Sequence, residues 1–209
     1  MPRTNAHRNG NRQSHSKSGR QKSVRQEWLR DFLSEMLAVG IGGVKLYEKA
    51  LSELSHSEFE DKLTDFLHQT EYHVELCAEM LKSAGGDVDH RSAGAEAADH
   101  KAEGLLSTAV PDELRDLNNI ENLVLAETKD HWNWEMLAAV EKKIGHHAEL
   151  KSMVGKAVRE VRKQEKTHLE WNERTLTTLA MEAAVQPGLR GLEETEGTEH
   201  QAVESDRSS

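Results

Sequence analysis

The chain has 209 residues, of which 36% are hydrophobic, 4% are aromatic and 31% are charged, and its formal net charge is -10. This composition suits one ordinary globular domain with polar ends. A single cysteine, Cys77, excludes a disulfide framework and a zinc site made of several thiolates, so a reducing, cytoplasmic compartment is expected. Because no apolar run approaches the ~20 residues of a membrane span, and no apolar segment follows the basic N-terminal residues, neither a membrane span nor a secretion signal is expected.

The two ends of the chain differ in charge from the part between them. Residues 1–25 carry seven basic groups and no acid, and we predict a basic disordered tail there. Residues 186–209 carry six acids and two arginines, which predicts an acidic disordered tail. The part between them is strongly acidic and therefore a poor electrostatic match for nucleic acid or anionic lipid. Any nucleic acid would have to be bound by the N-terminal tail.

The distribution of prolines predicts an all-α fold. Prolines stand only at positions 2, 111 and 187, so only glycines can interrupt helices over most of the chain. Apolar residues recur at helical spacing in four long stretches, and no stretch alternates as a strand would. The predicted helices cover about residues 27–54, 58–84, 111–144 and 148–184, with a short helix near 95–106 inside a long crossing over 87–110.

Local signals set the ends of these helices. Ser57 and Glu60 have the spacing of a capping box, and Gly85-Gly86 offers a left-handed C-terminal cap to the second helix. Two helical hairpins joined by one long connection are typical of a ferritin-like four-helix bundle, which we predict for residues 26–185. The domain is thus expected to be one bundle with one long crossover.

Polar residues interrupt the apolar faces of three predicted helices. At 100° per residue, Glu165 and His168 fall on the inward face of the fourth helix and form an inward Glu-x-x-His motif. On the third helix, Glu127 and His131 lie on the inward face, with Asp130 at its edge.

The second helix places Thr70 and His73 inward, at the positions of a second Glu-x-x-His motif whose glutamate is replaced by threonine. A buried carboxylate is costly unless it is paired or bound to a cation. Carboxylate and imidazole ligands suit iron, manganese or zinc. The alternative is a polar layer without metal, satisfied by hydrogen bonds, with His73 as a core histidine.

The distance from the turns predicts which residues share a layer. Glu127 and Glu165 are about equally far from the turn between the third and fourth helices. On the first helix, the residue at the level of His73 is Gly40 or a close neighbour. Glu48 falls on the inward face of that helix, but some ~12 Å further along the axis, so it is expected at the end of the bundle.

Large or reactive side chains near this layer have simpler explanations. Trp132, Trp134 and Trp171 are expected to pack in the core rather than to shield oxygen chemistry. Cys77 is expected to be a small buried hydrophobe rather than a nucleophile.

Four segments resemble a known family. LAVGIGGVKLYEKAL (37–51), QTEYHVELC (69–77), ENLVLAETKDHWNWEML (121–137) and QEKTHLEWNERTL (164–176) resemble bacterial stand-alone ferritin-like proteins, distant relatives of the YciF-type stress proteins. The resemblance covers about residues 27–184. It implies a helical bundle whose carboxylates and histidines hold a diiron or related dimetal site, which oxidises Fe(II) or handles peroxide and oxygen.

The resemblance also implies a ligand set. It assigns His73, Glu127, Asp130, Glu165 and His168 as the metal ligands. Two expected glutamates are replaced, by Gly40 on the first helix and by Thr70 on the second. The dimetal site is therefore predicted to be incomplete, and full ferroxidase activity is not expected.

Three hypotheses follow. The first is a ferritin-like protein that binds iron or another divalent metal at an incomplete site and acts in iron handling or oxidative stress. The second is a metal-free helical bundle that serves as a structural or interaction module. The third is a stress protein that associates with DNA through its basic tail, although dispersed charges without aromatic residues are more typical of a solvated tail. A homo-oligomer, a dimer or larger, is expected in each case.

Overall fold

The computed structural model describes residues 24–145 and 147–185, and within these ranges the chain is helical without strands. The predicted all-α fold is confirmed. The α-helices are α1 (Gln26–Ser52), α2 (Glu60–Ser83), α3 (Ala93–Ser107), α4 (Arg115–Glu141) and α5 (Ala148–Val185). Short 3-10 turns, Ser57–Phe59 and Asp112–Leu114, precede α2 and α4. Except for Val24 and Arg25, the two predicted tails lie outside the described residues.

The four long helices contact one another in a closed ring. Helix α1 packs against α2 and α4, and α5 packs against the same two helices from the other side. Helix α3 lies in the connection between α2 and α4 and packs on α1. Gly42 permits this close approach, because a Cβ atom at that position would lie only 2.8 Å from the Cβ atom of Ala102.

The apolar core consists of two clusters. The first joins the N-terminal half of α1 to the C-terminal ends of α2 and α4 and to the first half of α5. The second joins the other ends of the same four helices, around Tyr47, Phe66, Leu123 and Leu179. On every long helix, a segment between the two clusters contributes to neither. These segments meet at one depth, so the polar residues on them form a single layer across the interior.

The ends of α2 are stabilised differently from each other. The capping box predicted from Ser57 and Glu60 does not form, since the first residues fold as a 3-10 turn and α2 begins at Glu60 without a side-chain cap. The turn that precedes Ser57 is instead held by α4, because Asp116 accepts the backbone N–H groups of Ser55 and His56 at 3.0–3.1 Å. At the other end, Gly85 adopts φ +75°, as predicted for a left-handed cap.

No helix in the described part of the chain is both long enough and apolar enough to span a membrane.

Candidate metal centre

The polar layer between the two apolar clusters contains three acids and two histidines. Glu127 and Asp130 are three residues apart on α4, Glu165 and His168 are three apart on α5, and His73 comes from α2. The three-residue spacing places both members of a pair on the same helix face. All five side chains are at most 7% exposed.

The five residues form two overlapping groups of potential metal ligands. One group contains His73, Asp130 and Glu165, and the other contains Glu127, Glu165 and His168. Within each group, one ligand atom from each residue lies within 4.8 Å of the others. Glu165 belongs to both groups and therefore stands between them.

The atoms that face one another in the layer are carboxyl oxygens and imidazole nitrogens that make no hydrogen bonds to one another. His73 Nδ1 lies 2.8 Å from Glu165 Oε1, and His168 Nδ1 lies 3.5 Å from Glu127 Oε2. These contacts lack the angles of a hydrogen bond. Both Glu165 oxygens, Glu127 Oε2 and the two Nδ1 atoms are buried without a hydrogen-bond partner among the described residues. Such atoms are rare in folded proteins, and an unseen cation is one common explanation.

The other nitrogen of each imidazole is hydrogen-bonded across the α2–α5 interface. His73 Nε2 lies 2.8 Å from Gln164 Oε1, and His168 Nε2 lies 3.1 Å from Gln69 Oε1. With an amide oxygen as acceptor, each Nε2 carries the hydrogen. The Nδ1 atoms of both rings then present lone pairs to the carboxyl groups.

A tyrosine from α1 anchors one of the carboxylates. The Tyr47 hydroxyl donates to Glu127 Oε1 at 2.6 Å, a short distance typical of a bond to a charged acceptor. The Asn172 amide donates to the Tyr47 oxygen at 3.3 Å and to the backbone carbonyl of His168 at 3.0 Å. Glu127 is thereby held with its second oxygen directed toward His168.

Aromatic side chains limit access of water to the layer. The Phe66 ring lies 4.2 Å from the His168 ring, and the Trp134 ring lies 6.0 Å from the His73 ring, measured between centroids.

The three tryptophans expected in the core differ in position. Trp134 is buried as predicted, and Trp171 packs edge-on against Phe66. Trp132 is 60% exposed, so its predicted place in the core is wrong. Trp132 points away from the interior because it stands two residues before Trp134 on the same helix.

Burial shifts the pKa values of the three acids in different directions. It raises the pKa of Asp130 to about 8, with a further contribution from the charge of Glu127. It also raises the pKa of Glu165 well above its usual range, and the charges of Asp130 and Glu127 add to this shift. Burial acts on Glu127 in the same sense, but interactions with His168 and Tyr47 outweigh it and lower the pKa of Glu127. Burial therefore favours the neutral forms of Asp130 and Glu165, and Glu127 is the acid of the layer whose charged form is favoured.

His73 and Tyr47 stay neutral as well. Burial lowers the pKa of His73 to about 4, although its hydrogen bond to Gln164 acts in the opposite direction. Burial raises the pKa of Tyr47 well above its usual value, and the nearby charge of Glu127 adds to this effect. His73 thus offers an unprotonated nitrogen at any pH above about 5, which is the form that binds metals.

All five predicted ligand residues come together, but other expectations about the layer are wrong. Glu48 is exposed rather than inward, and its neighbour Tyr47 occupies the interior. His131, expected on the inward face of α4, is half-buried and belongs to neither ligand group. Thr70 is buried as predicted, and its hydroxyl donates to the backbone carbonyl of Phe66.

Four polar residues around the layer were not predicted from the sequence, namely Tyr47, Gln69, Gln164 and Asn172. Helical spacing could have identified Asn172, which is four residues after His168, but not Tyr47, because several sides of α1 are buried. The two glutamines stand at the edges of their helices, where spacing alone does not separate a buried contact from a solvated side chain.

Comparison with known proteins gives no relative: no family model, curated protein or solved structure matches this chain.

Proposed function

We propose that this protein is a ferritin-like four-helix bundle that binds divalent first-row transition metal ions in its polar layer. The observation that supports this proposal is the set of five buried polar atoms, two Nδ1 and three carboxyl oxygens, that face one another without forming a hydrogen bond. Imidazole and carboxylate together suit iron, manganese and zinc. Two ligand groups that share Glu165 suit a pair of ions rather than one.

The proposal accounts for a free-energy cost that a metal-free layer leaves uncompensated. A buried polar atom without a partner costs about 1–3 kcal/mol, and five of them converge here. A cation would satisfy these atoms together, and it would also permit ionisation of Asp130 and Glu165. A purely structural core would be served better by apolar side chains of similar volume.

The proposed site has three carboxylates and two histidines, which is fewer than a full ferritin-like dimetal set. A standard set takes one glutamate from each of two helices and a Glu-x-x-His motif from each of the others. Here α1 contributes Tyr47, which binds Glu127, and α2 contributes His73 without an accompanying glutamate. When bound, an iron pair would supply Fe(II) oxidation or peroxide chemistry. On the basis of that chemistry, we propose a role in iron handling or oxidative stress. The chain's own residues hold Glu127 in place and exclude water from the layer.

Metal analysis and thermal unfolding test this proposal. Protein purified without chelator should contain iron, manganese or zinc, and adding the metal to stripped protein should raise the melting temperature by linkage. Glu165→Gln should abolish this increase because Glu165 serves both ligand groups. The matched variant Glu48→Gln, on the exposed face of α1, should retain it. If the wild-type protein holds no metal and shows no shift with Fe(II), Mn(II) or Zn(II), a metal-free structural bundle is the correct description.

We further propose that the protein is a homo-oligomer, on the observation of an apolar face on α4. Leu125, Trp132 and Met136 are 54%, 60% and 40% exposed, and their spacing places them on one side of the helix. Exposed Trp and Met side chains are enriched in protein interfaces. The proposed DNA association concerns residues 1–25, which lie almost entirely outside the described residues.

A further inference from the structure

A repeated five-residue pattern connects α2 to α5. Gln69 precedes His73 by four residues on α2, and Gln164 precedes His168 by four residues on α5. The hydrogen bonds between these residues are reciprocal: the glutamine of each helix accepts from the histidine of the other helix. The two imidazole rings lie nearly parallel, 5.9 Å apart with an interplanar angle of 22°. The four side chains therefore form one cross-linked unit, which we call the glutamine clamp.

We propose that the glutamine clamp fixes His73 and His168 in the tautomer that carries hydrogen on Nε2, so that both Nδ1 lone pairs face the shared carboxylate Glu165. Gln69 and Gln164 are thus positioning residues for the proposed metal site. The part of this inference that concerns metal affinity rests on the proposed function, and the part that concerns the tautomer does not.

Each glutamine can favour one tautomer because of the surroundings of the rings. Both imidazoles are at most 1% exposed, so water cannot serve as an alternative partner for Nε2. Each Nδ1 atom faces a carboxyl oxygen, at 2.8 Å for His73 and 3.5 Å for His168, but makes no hydrogen bond to it. The hydrogen bonds at Nε2 therefore set the stronger preference. The amide oxygens at 2.8 and 3.1 Å are the only hydrogen-bond partners of the two rings in this part of the chain.

The clamp explains how α2 can contribute to a metal site without a glutamate. Thr70 stands on α2 where Glu165 stands on α5, directly after the glutamine of the repeated pattern. Its hydroxyl donates a hydrogen bond to the Phe66 backbone carbonyl and does not provide a ligand to the layer. The orientation of His73 therefore depends on a residue of α5, Gln164, and that of His168 depends on a residue of α2.

Outer partners of metal-bound histidines have a measurable effect. They fix the ring orientation and the tautomer, and their removal weakens metal binding by about ten- to a hundred-fold. Gln164→Leu removes the amide oxygen while keeping a side chain of similar size at a half-buried position. Gln164→Glu keeps an acceptor oxygen and should preserve the tautomer. Lys163→Leu, at an exposed neighbouring position, is the matched control for adding a leucine to α5.

The first measurement uses stripped, metal-free protein. Nitrogen-15 NMR distinguishes a protonated ring nitrogen from an unprotonated one, and His73→Gln and His168→Gln variants assign the two sets of signals. The wild-type protein, Gln164→Glu and Lys163→Leu should show His73 protonated on Nε2 alone. Gln164→Leu should show a mixture of tautomers or the Nδ1–H form. If Gln164→Leu keeps the pure Nε2–H form, or if wild-type His73 carries its hydrogen on Nδ1, the clamp is overturned.

The second measurement is Zn(II) affinity by competition with a chromogenic chelator. Gln164→Leu should bind about ten- to a hundred-fold more weakly than the wild type, and Gln69→Leu should do the same through His168. Unchanged affinity in both leucine variants would contradict the positioning role even if zinc binds. If the wild type binds no zinc, the proposed function fails, while the NMR result on metal-free protein still decides whether the clamp sets the tautomer.

Discussion

Tyr47 shows how one side chain can fix the geometry of the polar layer. Its hydroxyl is the only donor to Glu127 Oε1 among the described residues, and Glu127 is the one acid of the layer whose pKa is lowered. The ring is fully buried between Phe66 and His168. The hydrogen bond therefore stabilises a charge that the surrounding apolar residues would otherwise expel.

We expect Tyr47→Phe to lower the free energy of unfolding by about 1.5–3 kcal/mol, the range for a lost hydrogen bond to a charged group. Chemical denaturation of the metal-free protein measures this change. Tyr72→Phe is the control, because Tyr72 is 40% exposed and makes no side-chain hydrogen bond within the described ranges. Equal stability of the two variants would show that the Tyr47 hydroxyl does not support Glu127.

The raised pKa of Asp130 predicts an unusual dependence of stability on pH. A carboxyl group with a pKa of about 8 in the folded state and about 4 when unfolded binds its proton more tightly when folded. Its contribution opposes folding progressively as the pH rises from about 4 to 8, because ionisation in the buried layer is penalised. Between pH 8 and 6.5, the metal-free protein should therefore become more stable on acidification.

The expected gain from Asp130 alone is about 1–2 kcal/mol over that interval, measured by urea unfolding. Below about pH 6.5, His73 acts in the opposite direction, since its pKa of about 4 means that unfolding takes up a proton. His56 acts in the same direction as Asp130, because its hydrogen bond to Asp116 raises its pKa in the folded state, and protonation of His56 at lower pH therefore stabilises the fold. Asp130→Asn removes the contribution of Asp130. If the stability of this variant depends on pH between 8 and 6.5 as steeply as that of the wild type, the expected effect of Asp130 is refuted.

At the scale of the elements, the contact between α4 and the turn that joins α1 to α2 has a clear energetic consequence. Asp116 is buried, accepts two backbone N–H groups, and contacts His56 Nδ1 at 2.5 Å. Asp116→Ala would leave those N–H groups without an acceptor and should cost about 2 kcal/mol. Asp112→Ala, which removes an exposed carboxylate from the turn before α4, should change the stability little. Thermal unfolding of both variants tests this difference.

The sequence predicts the helices better than it predicts the orientation of α1. The spacing of apolar residues and the proline positions place all five helices, with ends that differ by a few residues. Helix α1, however, contacts α2, α3 and α4, so residues on several of its sides are buried. Periodicity then gives no unique inward face, and this is why Glu48 was placed inside and Tyr47 was overlooked.

Contacts between helices set a second limit on prediction from sequence. The inward positions of Glu165 and His168, the proposed ligands on α5, can be predicted because this helix is strongly amphipathic. The Gln164–His73 and Gln69–His168 hydrogen bonds depend on the rotation and axial offset of α2 against α5, which no local pattern contains. The axial offset of α1 against α2 is likewise absent from any local pattern. A Cβ atom at Gly43 would lie 3.4 Å from Thr70 Cγ2, whereas one at Gly40 would meet Val74.

For the molecule as a whole, the apolar face of α4 is the surface through which we propose that copies of the chain associate. A dimer formed through this face would remove Leu125, Trp132 and Met136 from water, and each large apolar side chain buried contributes about 1.5–3 kcal/mol. Lys129 lies on the same side of α4 and is paired with Glu35, so the face carries no unpaired charge at its centre.

We therefore expect Trp132→Ser to convert the oligomer into a smaller species, since it removes the largest side chain of the face without touching the polar layer. Size-exclusion chromatography with light scattering gives the mass of each form. Met181→Ser is the matched control, because Met181 is 67% exposed near the end of α5 and lies apart from this face. A monomeric wild-type protein, or an oligomer unchanged by Trp132→Ser, would show that α4 does not form the interface. Retained metal-dependent stabilisation in Trp132→Ser would show that the proposed site is complete within one chain, as expected when all five ligand residues come from α2, α4 and α5 of the same molecule.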